Sequence, residues 1–117
     1  MRFSSVKGLL VIATAMLAVS ISAPVAAADG EEEFKALLKK NDCTKCHAID
    51  KGKKCPAYKK VAAKYKGKEA EGEAKMYKNM TTGPKVKLED GTEEEHKIIE
   101  ARDDAQIRAL IKWILTL

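Results

Sequence analysis

The sequence predicts a small all-α domain of about four helices, with a loop that admits a short hairpin before the last of them. Three observations carry that prediction. Apolar residues recur at helical spacing in several separate segments. Only 89 of the 117 residues remain once an N-terminal leader is set aside. Three cysteines crowd between Cys43 and Cys55, and an odd count argues against a simple disulfide framework.

The leader is read as residues 1–28. Arg2 and Lys7 precede or flank a run, Gly8 to Ala23, that is almost wholly apolar and uncharged. Ala26, Ala27 and Ala28 then offer an Ala-x-Ala cleavage site. The run is short for a membrane span and small residues follow it, which is the pattern of a secretory signal peptide rather than an uncleaved anchor. Residues 29–117 become the mature domain, with no stable membrane span. The formal charge falls from +5 to +3 on removal of Arg2 and Lys7. So small a domain argues against a deep catalytic pocket, and a mildly basic exported chain argues against nucleic acid as a partner. Its thin apolar inventory calls for a bound cofactor or covalent links.

The elements follow in order. Glu31 to Asn41 reads as a helix: Phe34, Leu37 and Leu38 lie at i, i+3, i+4, and the acids Glu31–Glu33 suit its N-terminus. Pro56 is placed to open a second helix at its first position. Tyr58, Val61, Ala62 and Tyr65 share its stripe, and Gly67 stops it. Glu69 to Met80 reads as a third, with Ala70, Ala74, Tyr77 and Met80 on one face, broken by Thr81-Thr82-Gly83-Pro84. Between Lys85 and Ile99, Val86 and Leu88 alternate and Asp90-Gly91 marks a turn, so a loop with a short hairpin is expected. In the last helix Asp103 and Gln106 resemble a capping box, and Ile107, Leu110, Ile111 and Ile114 form the apolar face, with Trp113 alongside.

Cys43-Thr44-Lys45-Cys46-His47 is Cys-x-x-Cys-His, the attachment signature of c-type haem. The spacing has a chemical reason. Two thiols must reach two vinyl groups on one porphyrin edge and become thioethers, and the next residue must bring an imidazole under the iron. A tight helical turn does both. The competing readings are weaker. A thioredoxin-like redox pair lacks a surrounding βαβ pattern. A zinc site from Cys43, Cys46, Cys55 and a histidine lacks its second ligand half. An export signal upstream supports haem, because thioethers form outside the bacterial cytoplasm. The expected cofactor is therefore one covalent haem c, and the expected location is the bacterial periplasm.

The helices, the motif after the first of them and the Trp-bearing terminal helix resemble the class I cytochromes c, and among them the short bacterial electron carriers. Cys46-His47-Ala48-Ile49-Asp50, Pro56-Ala57-Tyr58-Lys59 and Asp103 through Leu115 carry the likeness, which covers roughly residues 34–65 and 103–117. The resemblance implies that the first and last helices cross near Phe34 and Trp113. It also implies that Pro56 lies on the His47 side and orients the imidazole through its carbonyl, which raises ligand basicity.

The middle of the chain departs from the family, whose sixth ligand is a Met in a Pro-flanked loop. No Pro-Met-Pro segment occurs here. The candidates are Met76, Met80, His96, Cys55 and a lysine such as Lys85, Lys87 or Lys97. By the family's register the axial residue precedes the acidic cap of the last helix by about seven positions, and His96 stands seven before Asp103. His96 is thus read as a ligand or, equally, as a solvated residue in the charged run Glu93–Lys97. Met80 is more naturally core filling, and nothing favours Met76. Cys55 adjoins Pro56 on the implied proximal side, from which the opposite haem face is hard to reach. It also leaves a dimer open. A lysine ligates only when deprotonated, which costs free energy at neutral pH.

Two functions follow. The first is a carrier of single electrons between redox proteins, at low potential if a non-Met residue is the distal ligand, because Met ligation raises it. The second is a haem protein that binds or senses NO or CO at a displaceable distal site. No grouping of acid, base and nucleophile points to an enzyme. From Lys35 to Lys68 there are twelve lysines and only Asp42 and Asp50 as acids. Lys39, Lys40, Lys45, Lys51, Lys53 and Lys54 flank the motif. A positive rim would steer an acidic redox partner, while the plainer reading is solubility.

Overall fold

The structure, a computed structural model, describes residues 27–117 continuously, with isolated positions 8 and 18 before them and side chains from residue 30 onward. The expected leader lies outside the described residues except where its end runs into the first helix. Among the described residues, four α-helices form in the order the apolar spacing asks for: α1 (Ala27–Lys40), α2 (Tyr58–Lys64), α3 (Glu69–Thr82) and α4 (Asp104–Leu115). A hairpin of β1 (Lys85–Lys87) and β2 (Glu93–Glu95) separates α3 from α4. Among the described residues, no helix is long and apolar enough to cross a membrane.

Helix α4 is the hub, packing against α1, α2 and α3. Its Leu110, Ile111 and Ile114 are fully buried and meet Leu37 and Leu38 of α1, Tyr58 of α2, and Met76 and Met80 of α3. Phe34 and Trp113 stack at the α1–α4 crossing, ring centroids 5.5 Å apart, as expected from the resemblance. The N-terminus of α4 is capped as its sequence suggests. Asp103 accepts from the Gln106 amide at 2.8 Å, and the Gln106 side chain accepts from the Arg102 amide at 2.8 Å, one residue before the usual box position.

Two boundaries and one helix face differ from expectation. Helix α1 starts at Ala27 rather than Glu31. Helix α2 starts at Tyr58, so Pro56 stands outside it. The first amides of α2 are satisfied from elsewhere: Tyr58 and Lys59 donate to the carbonyls of Ala48 and Ile49 at 2.9 and 3.1 Å. The Pro56 carbonyl is thereby left out of the helix ladder. Helix α3 buries Gly72, Met76 and Met80, whereas Ala70 and Ala74 face solvent. A Cβ on Gly72 would lie 2.6 Å from the Tyr65 ring. Glycine lets α3 close on that aromatic and rotates the buried stripe onto Met76.

The hairpin has the register Lys85↔Glu95, Val86↔Glu94, Lys87↔Glu93. Opposite charges therefore face each other across the strands. Its turn is held by Asp90, which accepts from the amide and hydroxyl of Thr92 at 3.0 and 2.6 Å. The segment after β2 is fastened to the end of α3: His96 donates its amide to Pro84 at 2.9 Å and Ile99 to Met80 at 3.0 Å. Gly83 ends α3 at φ +61°, and a Cβ there would approach the His96 carbonyl to 2.9 Å. Buried Asn41 ties the end of α1 to the same strap. It donates to the Glu100 carbonyl at 2.9 Å and accepts from the Glu100 amide at 2.7 Å.

Candidate functional site

The Cys43–Lys45 segment forms one tight 3-10 turn after α1. Asp42 enters it at φ +59°, and Cys46 and His47 both donate to the Cys43 carbonyl, at 3.2 and 2.9 Å. The turn places Cys43, Cys46 and His47 on the wall of one cleft. Cys43 is half-buried, and burial pushes its thiol pKa up.

The cleft has two lobes. A cavity of about 630 Å³ is walled by apolar groups, among them Val61 of α2, Met76 of α3, and Val86 and Leu88 of the hairpin. A smaller lobe of about 70 Å³ carries Cys43 and Cys46. His47, Cys55, Tyr58 and His96 border both. The volume and largely apolar walls suit a large planar group held by few polar contacts.

His47 is fixed from two directions. Its Nδ1–H donates to the Pro56 carbonyl at 2.6 Å. The carbonyl can only accept, so the Nε2 lone pair is the free one. Its ring stacks on Tyr58, centroids 4.7 Å apart. Burial lowers its pKa, the Pro56 bond opposes that, and His96 adds to the lowering. Neutral imidazole is the form that binds a metal.

His96 follows β2 and is half-buried on the cleft. Its Nδ1–H donates to the Lys97 carbonyl at 2.9 Å, which again leaves Nε2 free. Both histidines thus share one tautomer. Met80 sits in the core with Leu37, Leu38 and Ile111 and borders neither lobe. Cys55 is buried and donates its amide to the Cys46 carbonyl at 2.9 Å. Burial first, then the neighbouring Cys46 thiol, push its pKa up to about 12, so it stays a thiol at neutral pH. Met76, set aside in the sequence, is a cavity wall.

Asn79 was also missed. Its Oδ1 is buried with no partner among the described residues, and Asn79 lines the larger lobe. The signal was its spacing: it follows Gly72 and Met76 on the buried stripe of α3. An orphaned polar atom at an apolar cleft fits a bound group that completes the site. So do the paired Nε2 atoms and the two thiols.

The lysines at the mouth differ from those that flank the motif. Lys60, Lys64, Lys75, Lys85 and Lys87 line the larger lobe. Lys45 pairs with Asp42, Lys54 with Glu94, and Lys53 donates to the Thr44 carbonyl at 2.9 Å.

Residues 31–117 match the family described as Cytochrome c. Among solved structures, the chain is similar to the class 1 cytochrome MtoD from Sideroxydans lithotrophicus ES-1. They share 47% identity over 74% of this chain and 94% of that one, with a TM-score of 0.67. It is also similar to wild-type cytochrome c552 of Nitrosomonas europaea, at 30% identity, 71% and 98% coverage and a TM-score of 0.57. The N64Del mutant of that cytochrome matches at 29%, 70% and 96%, with a TM-score of 0.55. Among curated proteins, none matches the chain.

Proposed function

The chain belongs to the cytochrome c family as a monohaem class I member, and we propose that it is an exported, periplasmic carrier of single electrons with His47 and His96 as axial ligands and a low potential. When bound, haem c supplies a one-electron iron couple. The chain's own residues do the rest. Cys43 and Cys46 would anchor the macrocycle through thioethers, and the Pro56 carbonyl and the Tyr58 ring hold the His47 plane. Val61, Met76, Val86 and Leu88 exclude water from the cavity, which limits solvent reorganisation during electron transfer.

One observation carries the ligand assignment. Two histidines border the same cleft, and each commits Nδ1 to a backbone carbonyl, leaving Nε2 free. Because Met raises the potential and imidazole does not, the potential is expected below that of His/Met carriers. The lysines at the cleft mouth support an acidic redox partner. The leader motif supports export.

The test is the optical and low-temperature electron paramagnetic resonance spectrum of the wild type beside His96→Ala, with a redox titration of both. The expected result is loss of the low-spin signal in the variant. An unchanged spectrum, or a wild-type potential in the His/Met range, removes His96 from the iron.

A further inference from the structure

We propose that Lys54 and Glu94 form a clasp that holds the β1–β2 hairpin closed over the cleft and so positions His96. The inference rests on the reading of His96 as distal ligand and adds what keeps it there. Lys54 Nζ lies 2.9 Å from a Glu94 carboxylate oxygen, forty residues on and two before His96. Beside that pair, the Glu89 amide donates to the Lys54 carbonyl at 3.1 Å, and Lys60 Nζ stands 3.8 Å from Glu89.

Both halves of the clasp are anchored. The loop bearing Lys54 is tied to the haem-binding turn, since Lys53 Nζ donates to Thr44 at 2.9 Å and Cys55 donates its amide to Cys46 at 2.9 Å. The hairpin is tied to α3 only at its base, through Gly83 and the His96–Pro84 bond. Val86, opposite Glu94, and Leu88, nearer the turn, face the cavity. A hairpin held at its base and along one edge opens more often when the ion pair on that edge is lost and only the Glu89–Lys54 bond and the Lys60–Glu89 pair remain there, and no helix needs to unfold for that.

An exposed ion pair contributes little to global stability. Here it acts on a local opening, where a small free energy changes a rate directly. The clasp makes Lys54 and Glu94 positioning residues. It also makes the distal site displaceable in proportion to how weakly the clasp holds.

The experiment uses the ferrous holoprotein with CO at saturating concentration, so that binding proceeds no faster than His96 leaves. Lys54→Glu and Glu94→Lys are each expected to raise the CO-binding rate about fivefold, and the double exchange to return it to within about twofold of wild type. Amide exchange at Glu89, whose amide bonds the Lys54 carbonyl, follows the same order, while thermal unfolding stays put. Unchanged CO rates and unchanged exchange in both single variants overturn the clasp and leave the ligand reading standing. A double exchange as fast as the singles also overturns it. If exchange responds as expected but His96→Ala leaves the spectrum unaltered, the ligand reading falls, and with it the clasp's hold on the iron.

Discussion

On one side of the cleft, His47 hangs from backbone: a tight turn, the Pro56 carbonyl and a buried aromatic ring. On the other, His96 hangs from a hairpin whose strand edges are charged and exposed. The first arrangement has one geometry, because buried hydrogen bonds and packed rings are costly to break. The second is held by interactions that water and salt weaken. One histidine is thereby built to stay and the other to be adjustable, and the strength of the hold on His96 becomes a property that a few surface charges can set.

Substitution should expose this difference most strongly at Tyr58 and Val86. Tyr58 is 4% exposed, starts α2 and covers His47. Tyr58→Ala in the holoprotein is expected to cost about 3–5 kcal/mol. Val86→Ala, at a half-buried hairpin position, is expected to cost about 1 kcal/mol or less. Denaturant unfolding of both variants measures the gap. Equal costs would mean that the hairpin is as much a part of the cooperative core as α2, and the contrast would be lost.

The same contrast explains what could be read from the chain in advance. The Cys43–His47 turn was legible because the chemistry expected of it forces short-range spacing. Thioether attachment and ligation would need Cys43, Cys46 and His47 together, and the Pro56 carbonyl meets His47 where the resemblance implied. The α4 stripe was legible because strong apolar residues mark it. The α3 face was not. Alanines carry little weight in a periodicity argument, and Gly72 looks like a weakness in a helix until Tyr65 is seen against it. Pro56 looks like a helix opener because its ring fits there, whereas the helix starts at Tyr58, where the Tyr58 and Lys59 amides donate to the Ala48 and Ile49 carbonyls. The hairpin was foreseen from alternation and Asp90-Gly91, but its clasp spans forty residues, and no local pattern encodes it.

Asn41 sharpens the comparison because it belongs to both sides. It ends α1 just before the haem-binding turn and is 3% exposed. Its side chain grips both polar groups of Glu100, in the strap that follows His96. Asn41→Ala strands those groups, and about 1–3 kcal/mol of stability should be lost. Amide exchange at Glu100 should accelerate more than exchange in α2. If α2 loosens equally, the two sides are coupled more tightly than their hydrogen bonds suggest.

Charge sets the smallest expected effect and the one most dependent on conditions. Among the described residues, Lys64 and Lys75 line the cavity mouth without an ion-pair partner, and Lys85 and Lys87 beside them lie opposite Glu95 and Glu93 across the hairpin. Near the haem-binding turn Lys45, Lys53 and Lys54 are engaged by acids or a carbonyl. The positive field at the opening therefore rests chiefly on Lys64 and Lys75, and that of Lys45 is already offset. Raising ionic strength from about 0.01 to about 0.15 M shortens the screening length from roughly 30 to roughly 8 Å. Association with an acidic redox protein should slow by about threefold to tenfold over that range. Lys64→Gln or Lys75→Gln should flatten the dependence more than Lys45→Gln does, as stopped-flow electron transfer would measure. A rate that ignores salt would leave the lysines as a solubility device. A dependence flattened chiefly by Lys45→Gln would move the docking surface back to the turn.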